Sequence, residues 1–558
     1  MTVSAQRNFG APVGSAADPG RLGQLVQGWT LSTIGRVGLL GTVLITLGSF
    51  GAGALPANDP TRHIPVIGLL RHGSTGLHVA LGLYYLGLMV LVAAWLVLGR
   101  LLLTGSTSGD SEVGAEVVSP IALRRMLIRW MAPLLVGMPL ASSDLYSYAA
   151  QAQLARYGLD PYTRTPADLP AVDLGKFLDN VAWKWVDTPS PYGPLWVAVS
   201  KWVAAATGNH ALISVLLLRL LPFAAVLLTA RLLPVLAQQF NKRADLALWL
   251  AVANPLILVH AVAGGHNDAV MVVLIVAGLV VITRPQADWR HLLAGVALMT
   301  LAAAVKSPGL VAAAFAVPIY LAGRSGLSRR DWWRHCLATL AVAVPVFAAV
   351  SLVAGVGLGW VRQVSSGVPV INFMSLPTLL AVCYRAIIGA AHAGTLVDGT
   401  VRGFRDAGTV VSGLLLVGLW FRAVRSYQQR QVAVAMLAVG LVSIVVLGPA
   451  VQPWYFTWAL TIAAVLLIRP RAILWIATAS ISLTLLTRPM GSSLEASAYV
   501  PAVLAAGLAA RALLGPVTHR GGKRSEHRPS VSEGGAQRRD GTAERASTER
   551  QRGRSAAT

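Results

Sequence analysis

Acid is what this chain has least of. Only 23 of its 558 residues are Asp or Glu, against 46 Lys and Arg, and all charged residues together make 12%. An average soluble domain carries roughly 25%. With 55% hydrophobic residues and a mean hydropathy of +0.62, a soluble globular enzyme is excluded. Cysteine is nearly absent: Cys336 and Cys383 sit in or beside apolar runs and form no CxxC. That excludes a disulfide framework, a thiolate zinc site and a CxxC redox pair, and both read as small core residues. Walker A, GxGxxG, DxD, HExxH and EF-hand spacings are missing too. Nucleotide hydrolysis and a nucleotide-sugar domain are therefore unsupported.

What is present is apolar sequence in long runs, such as Leu77–Leu98, Ala211–Ala237 and Val432–Leu447. Many reach the roughly 17–25 residues that cross a bilayer. The first run follows about thirty small or polar residues and precedes many others, so it reads as an anchor rather than a cleaved signal peptide. The pattern predicts an all-α polytopic membrane protein of about 13–14 transmembrane helices over residues 31–515. Residues 1–30 form a cytoplasmic N-terminal segment. Residues 516–558, rich in Arg, Gly, Ser and Glu, read as a disordered basic cytoplasmic tail.

The net charge of +23 suggests nucleic acid until its distribution is considered. Basic residues gather in short loops: Arg124 and Arg125, Lys242 and Arg243, Arg324 to Arg334, Arg422 to Arg430, Arg469 and Arg471. The positive-inside rule puts these in the cytoplasm and leaves no nucleic-acid partner. Two apolar stretches then fail as crossings. Leu195–Ala206 is short and contains Lys201, and Leu376–Ala391 would misplace Arg422–Arg430. The polar, aromatic-rich corners consequently share the outer face.

Six of the scarce acids fall between Ala141 and Pro194: Asp144, Asp160, Asp168, Asp173, Asp179 and Asp187. They belong to the first large extracytoplasmic loop, residues 144–210. Ionised groups beside a bilayer are costly and signal function. Asp144 directly follows an apolar helix, where a carboxylate is placed to accept a proton from a hydroxyl; it also suits the N-cap of a helix from Leu145. Asp160-Pro161-Tyr162 is a site element or a simple turn. Pro191-Tyr192-Gly193-Pro194 fixes a rigid turn, with Asp187 facing the site or solvent. His266, Asn267 and Asp268 follow Gly264-Gly265 and read as site residues. Lys306, Arg362 and Arg488 are candidate phosphate-binding cations, with snorkelling to the interface as the competing account. Asp144, Asp160 and Asp268 form an alternative set for a divalent cation, though without a known spacing.

These pieces, with Asp144-Leu145-Tyr146-Ser147-Tyr148, Asp187-Thr188-Pro189-Ser190-Pro191, Asn254-Pro255-Leu256, Asn372, Ser375-Leu376-Pro377-Thr378 and Pro453-Trp454-Tyr455, carry a resemblance. The chain resembles membrane glycosyltransferases of the GT-C type, and more narrowly the actinobacterial polyprenol-phosphomannose-dependent α-1,6-mannosyltransferases of lipomannan assembly. The motifs run in family order from about residue 35 to 510. The resemblance implies a multi-pass plasma-membrane enzyme with an extracytoplasmic site and a polyprenyl-phosphate-mannose donor. It implies a mannosylated phosphatidylinositol or other lipid-anchored mannan acceptor, and an inverting transfer. Asp144 matches the family's catalytic first-loop position. Tyr146, Tyr148, Asp160, Tyr162, Asp187, Tyr192, His266, Asn267, Asp268, Lys306, Arg362, Asn372, Trp454, Tyr455 and Arg488 are the expected substrate-binding residues. Leu145 stands where protein O-mannosyltransferases have Glu, which argues against a protein acceptor. A lipid or sugar transporter is the rival reading, supported by Arg219 and Arg231 inside an apolar run.

Overall fold

The computed structural model describes residues 28–57, 59–104, 118–361, 371, 373–388, 398–426, 429–466, 469–491 and 496–526. Helices dominate, and the described residues contain no β-strand. Helix α1 (Leu31–Ala52) pairs with α2 (Gly73–Thr104), and α3 (Pro120–Val136) packs beside α1. Helix α4 (Asp144–Arg156) is followed by short turns, α5 (Pro194–Thr207) and α6 (Ala211–Gln239). A span broken at Ala251–Asn254 joins Ala244–Leu250 to Pro255–Ala263 with a 51° bend. Then come α7 (Asp268–Thr283), α8 (Trp289–Val305), α9 (Gly309–Leu321) and α10 (Arg329–Ala354). The remainder is α11 (Leu376–Ile387), α12 (Gly399–Arg425), α13 (Arg430–Val446), α14 (Phe456–Ala463), α15 (Pro470–Leu485) and α16 (Tyr499–Glu526).

Among the described residues, five helices are singly long and apolar enough to span: α1, α2, α6, α10 and α12. The broken pair makes a sixth, and seven shorter apolar helices accompany them. This is an all-α polytopic membrane protein. The most apolar stretch of α10 is only 6% buried, so its Leu337, Leu340 and Val344 face outward. Such a surface is tolerable only against lipid or another apolar partner. The two stretches expected not to cross form short helices. Helix α5 has 14 residues and α11 has 12, about 21 and 18 Å at 1.5 Å per residue, against roughly 30 Å of hydrocarbon. Helix α11 packs against α12 and the 447–449 turn, where Ser375 donates to the Gly448 carbonyl at 2.7 Å.

The break has a local cause. Pro255 lacks an N–H, and its ring drives Asn254 to extended angles (ψ 129°). Asn254 then bridges the gap, donating to the Leu250 carbonyl and Ser480 Oγ and accepting from the Leu256 amide. Buried Trp95 and Trp249 lock the broken span onto α2, each indole donating to the other's carbonyl at 2.9 Å. The last helix continues past residue 516, where the sequence pattern places the start of the disordered tail. Local helical geometry thus extends to Glu526. Residues 1–27 and 527–558 of the terminal segments lie outside the described residues.

Candidate functional site

Asp144 begins α4, so its expected N-cap role is not what the backbone adopts. Ser143 holds the cap position without a side-chain bond, and the Asp144 amide donates to Ser142 Oγ at 3.0 Å. The carboxylate is thereby left out of capping, while the positive end of the helix dipole still favours its charge. The segment leading into it is unusual: buried Ala141 takes a left-handed φ of 61°, which non-glycine residues seldom adopt. Its amide donates to the Pro489 carbonyl at 2.8 Å. The turn beginning at Arg488 is therefore stitched to the approach to Asp144.

The Gly264-Gly265 turn brings in the second partner. It follows a π-helical stretch, Leu258–Ala263, a geometry often found at functional sites. Gly265 has φ +69°, and a Cβ there would lie 2.7 Å from Leu145 Cδ1, so the turn lies hard against α4. His266 follows, 1% exposed, with Nδ1 3.5 Å from Asp144 Oδ2. Its ring stacks on Trp454 at 3.7 Å between centroids. Burial drives the imidazole pKa down to about 3; Asp268 opposes the shift, while Lys306 and Lys184 add to it. His266 is hence neutral, and its Nδ1–H tautomer can face the carboxylate. Asn267 is fully buried, with neither side-chain polar atom hydrogen-bonded among the described residues.

Asp268 also heads a helix, α7, but its carboxylate is committed. Lys306 Nζ donates to both oxygens at 2.9 and 3.0 Å, and the Trp458 indole donates to Oδ1 at 2.7 Å. Burial alone would lower the Lys306 pKa, but Asp268 and the surrounding groups outweigh it and hold the ammonium above its usual range. Lys306 lies 4.3 Å from the Tyr455 ring centroid and 5.9 Å from that of Tyr192. Gly193 explains the second approach: its amide donates to the Val305 carbonyl, and a Cβ would sit 2.3 Å from the Ala304 carbonyl oxygen. The Pro-Tyr-Gly-Pro turn thus packs on the end of α8. Tyr192 continues edge-to-face into Tyr148 at 5.0 Å, and Tyr148 into Trp196 at 5.2 Å.

Beneath these residues lies Arg219 of α6, 2% exposed. It donates to the carbonyls of Leu134, Leu135 and Gly137 at the end of α3, and to those of Val262 and Ala263 at the end of the π stretch. Helix C-termini carry unpaired carbonyls and negative partial charge, so one guanidinium satisfies two of them. The intramembrane charge that best supported a transporter is therefore engaged in a structural junction.

The remaining expected residues divide. Asp160 accepts from the Tyr162 amide at 3.0 Å, closing its own turn, and Tyr162 packs in a small apolar cluster with Ala155 and Val197. Asp187 is exposed. Tyr146 donates to the Ala54 carbonyl at 2.8 Å and borders a cavity of about 590 Å³ shared with Asp59, Arg62, Lys176, Asn180 and Asn209. Arg488 is partly buried beside the Asp144 approach. Arg362 and Asn372 lie outside the described residues. Among the described residues no three His, Cys, Asp or Glu side chains converge as a metal site requires, so Asp144, Asp160 and Asp268 do not form the cation trio considered above. Sequence reasoning passed over Trp458 and His260. Trp458 sits one turn after Trp454 and Tyr455, a spacing that shares a face. His260 is fully buried within the broken span, 5.3 Å from Trp454, with neither ring nitrogen hydrogen-bonded among the described residues.

Comparison with known proteins follows the same lines. A family model described as alpha-(1->6)-mannopyranosyltransferase, N-terminal domain, matches residues 35–323, and one described as MptB C-terminal domain matches 377–515. Alpha-(1->6)-mannopyranosyltransferase A of Mycobacterium tuberculosis is 36% identical over 466 residues, covering 82% of this chain and 84% of that protein. The protein of the same name from Corynebacterium glutamicum is 27% identical over 74% of this chain and 84% of its own. Alpha-(1->6)-mannopyranosyltransferase B of C. glutamicum is also 27% identical, over 76% and 71%. No solved structure matches.

Proposed function

This chain belongs to the alpha-(1->6)-mannopyranosyltransferase family, and from that premise we propose how it acts and on what. It is a membrane-embedded glycosyltransferase making α-1,6-mannosidic links. The donor we infer is polyprenyl-phosphate-mannose, and the acceptor a lipid-anchored mannan on the extracytoplasmic face of the plasma membrane. The observation that carries this reading is the contrast within the buried site. Asp268 is paired with Lys306 and accepts from the Trp458 indole, whereas the Asp144 carboxylate faces, among the described residues, a neutral histidine at 3.5 Å.

Transfer is then a single displacement with inversion. The acceptor primary hydroxyl attacks the anomeric carbon, its proton passes to an Asp144 oxygen, and the C–O bond to polyprenyl phosphate breaks. The leaving phosphate keeps its electron pair and needs no proton where cations offset the charge. Lys306, already held cationic, and Arg488 are the residues we assign to it. His266, stacked on Trp454, orients the base, with Tyr192 and Tyr455 flanking Lys306. The cavity beside Tyr146 is within the usual range for ligand sites, about 300–1,000 Å³, and its amides and charges suit hydroxyl-rich sugar.

Membranes carrying the protein, supplied with polyprenyl-phosphomannose and an α-mannoside acceptor, provide the test. Transfer that depends on Asp144 and yields an α-1,6 linkage is the expected result. Accumulation of donor across the membrane without a new linkage would instead favour the transporter.

A further inference from the structure

Arg231, the second charge inside α6, has no part in the site. Twelve residues beyond Arg219, it lies about 18 Å further along the helix at 1.5 Å per residue, and is exposed. Helix α3 runs beside it, and the two enclose a cavity of about 250 Å³. Arg124, Leu127, Ile128 and Met131 line one wall at helical spacing, and Leu227, Ala230 and Arg231 the other. Leu127, Met131 and Ala230 are buried and form an apolar floor, while Ile121 and Ile128 flank it half exposed. Arg125 adds a third guanidinium at the rim. Among the described residues none of the three forms an ion pair.

We propose that this groove binds one anionic phospholipid, its phosphate held by Arg124, Arg125 and Arg231 and its acyl chains laid along Ile121 and Ile128. Three cations over an apolar floor between two membrane helices match that chemistry. Basic pockets between such helices are a known form of lipid-headgroup recognition, and a guanidinium grips phosphate through paired donors. A soluble phosphate leaves the apolar walls unused, and a zwitterionic lipid offers no net charge. The groove lies at the end of α3 remote from Asp144, so binding there is separate from sugar transfer.

The test uses the full chain purified in neutral detergent, with retained lipid counted by native mass spectrometry. Probes are dioleoyl phosphatidylglycerol, dioleoyl phosphatidylcholine and inorganic phosphate. Phosphatidylglycerol should be retained over phosphatidylcholine, and phosphate should not displace it. Arg231→Leu makes its span more apolar and should insert normally, yet should weaken phosphatidylglycerol retention about fivefold, the share of one basic group. Arg124→Gln with Arg125→Gln should weaken it further. Arg471→Gln, a basic residue away from the groove, should leave retention unchanged. Equal retention of both lipids, displacement by phosphate, or equal loss in Arg471→Gln and Arg231→Leu would each overturn the proposal.

Discussion

Asp144 and Asp268 begin as the same local structure. Each heads a helix, follows a polar cap residue and is buried. They part in what faces them: Asp268 meets an ammonium and an indole N–H, Asp144 a neutral imidazole slightly beyond hydrogen-bond length. A carboxylate with all its partners in place is an anchor. One with an open side can take a proton. Burial and helix position do not separate the two; their neighbours do.

The comparison is easiest to break through stability. Asp268→Asn should destabilise the protein by about 3–5 kcal/mol, because Lys306 keeps a buried charge without its partner. Asp268→Asn with Lys306→Met should recover most of that loss, as measured by thermal unfolding in micelles. An Asp268→Asn protein as stable as the parent would mean that the pair anchors nothing.

Next in size is Asp144→Asn. Its backbone amide, not its side chain, bonds Ser142, so the fold should hold. Mannosyl transfer should drop by at least ~10²-fold, the usual loss of general-base help, equal to about 2.7 kcal/mol of barrier. Near-parental transfer by the well-folded variant would remove Asp144 as the base.

Acid should sharpen the contrast further. His266 is held at about 3 when folded, against about 6.5 in an unfolded chain. Below pH 6.5 the unfolded state takes up the proton first, so stability present above that pH is lost progressively toward pH 3. The thermal midpoint should fall over this window, and fall less in His266→Gln. A slope identical in the two proteins would refute the buried neutral assignment.

The smallest effect belongs to the loop acids. Asp187 is exposed, and exposed substitutions usually stay within about 0.5 kcal/mol. Asp187→Asn should therefore leave both stability and transfer within about twofold. A loss comparable to Asp144→Asn would extend the site into the loop.

How much of this could be read from sequence depends on which neighbours matter. Asp144, His266, Lys306, Trp454 and Tyr455 stood out because polar or aromatic groups ended apolar runs, and the structure gathers them. The clamp on Asp268 did not stand out: its partners are 38 and 190 positions away, and no local pattern encodes that meeting. Arg219 was visible as a charge in an apolar run, but its five carbonyl acceptors belong to helix ends folded over it. Charge placement pointed to α11 as a non-crossing stretch, and its 12 residues are in keeping with that, whereas its seat against α12 had no local signal.

Arg219 also has a consequence for biogenesis. The ends it ties were made at different times: Leu134–Gly137 precede it in the chain, and Val262–Ala263 follow it. Asp144 is thus synthesised well before the junction that supports its approach can close. Until α6 is in the membrane and the broken span has folded back, the nascent chain has a carboxylate but no assembled candidate site. Chains truncated before Ala263 should insert their early helices and remain catalytically silent.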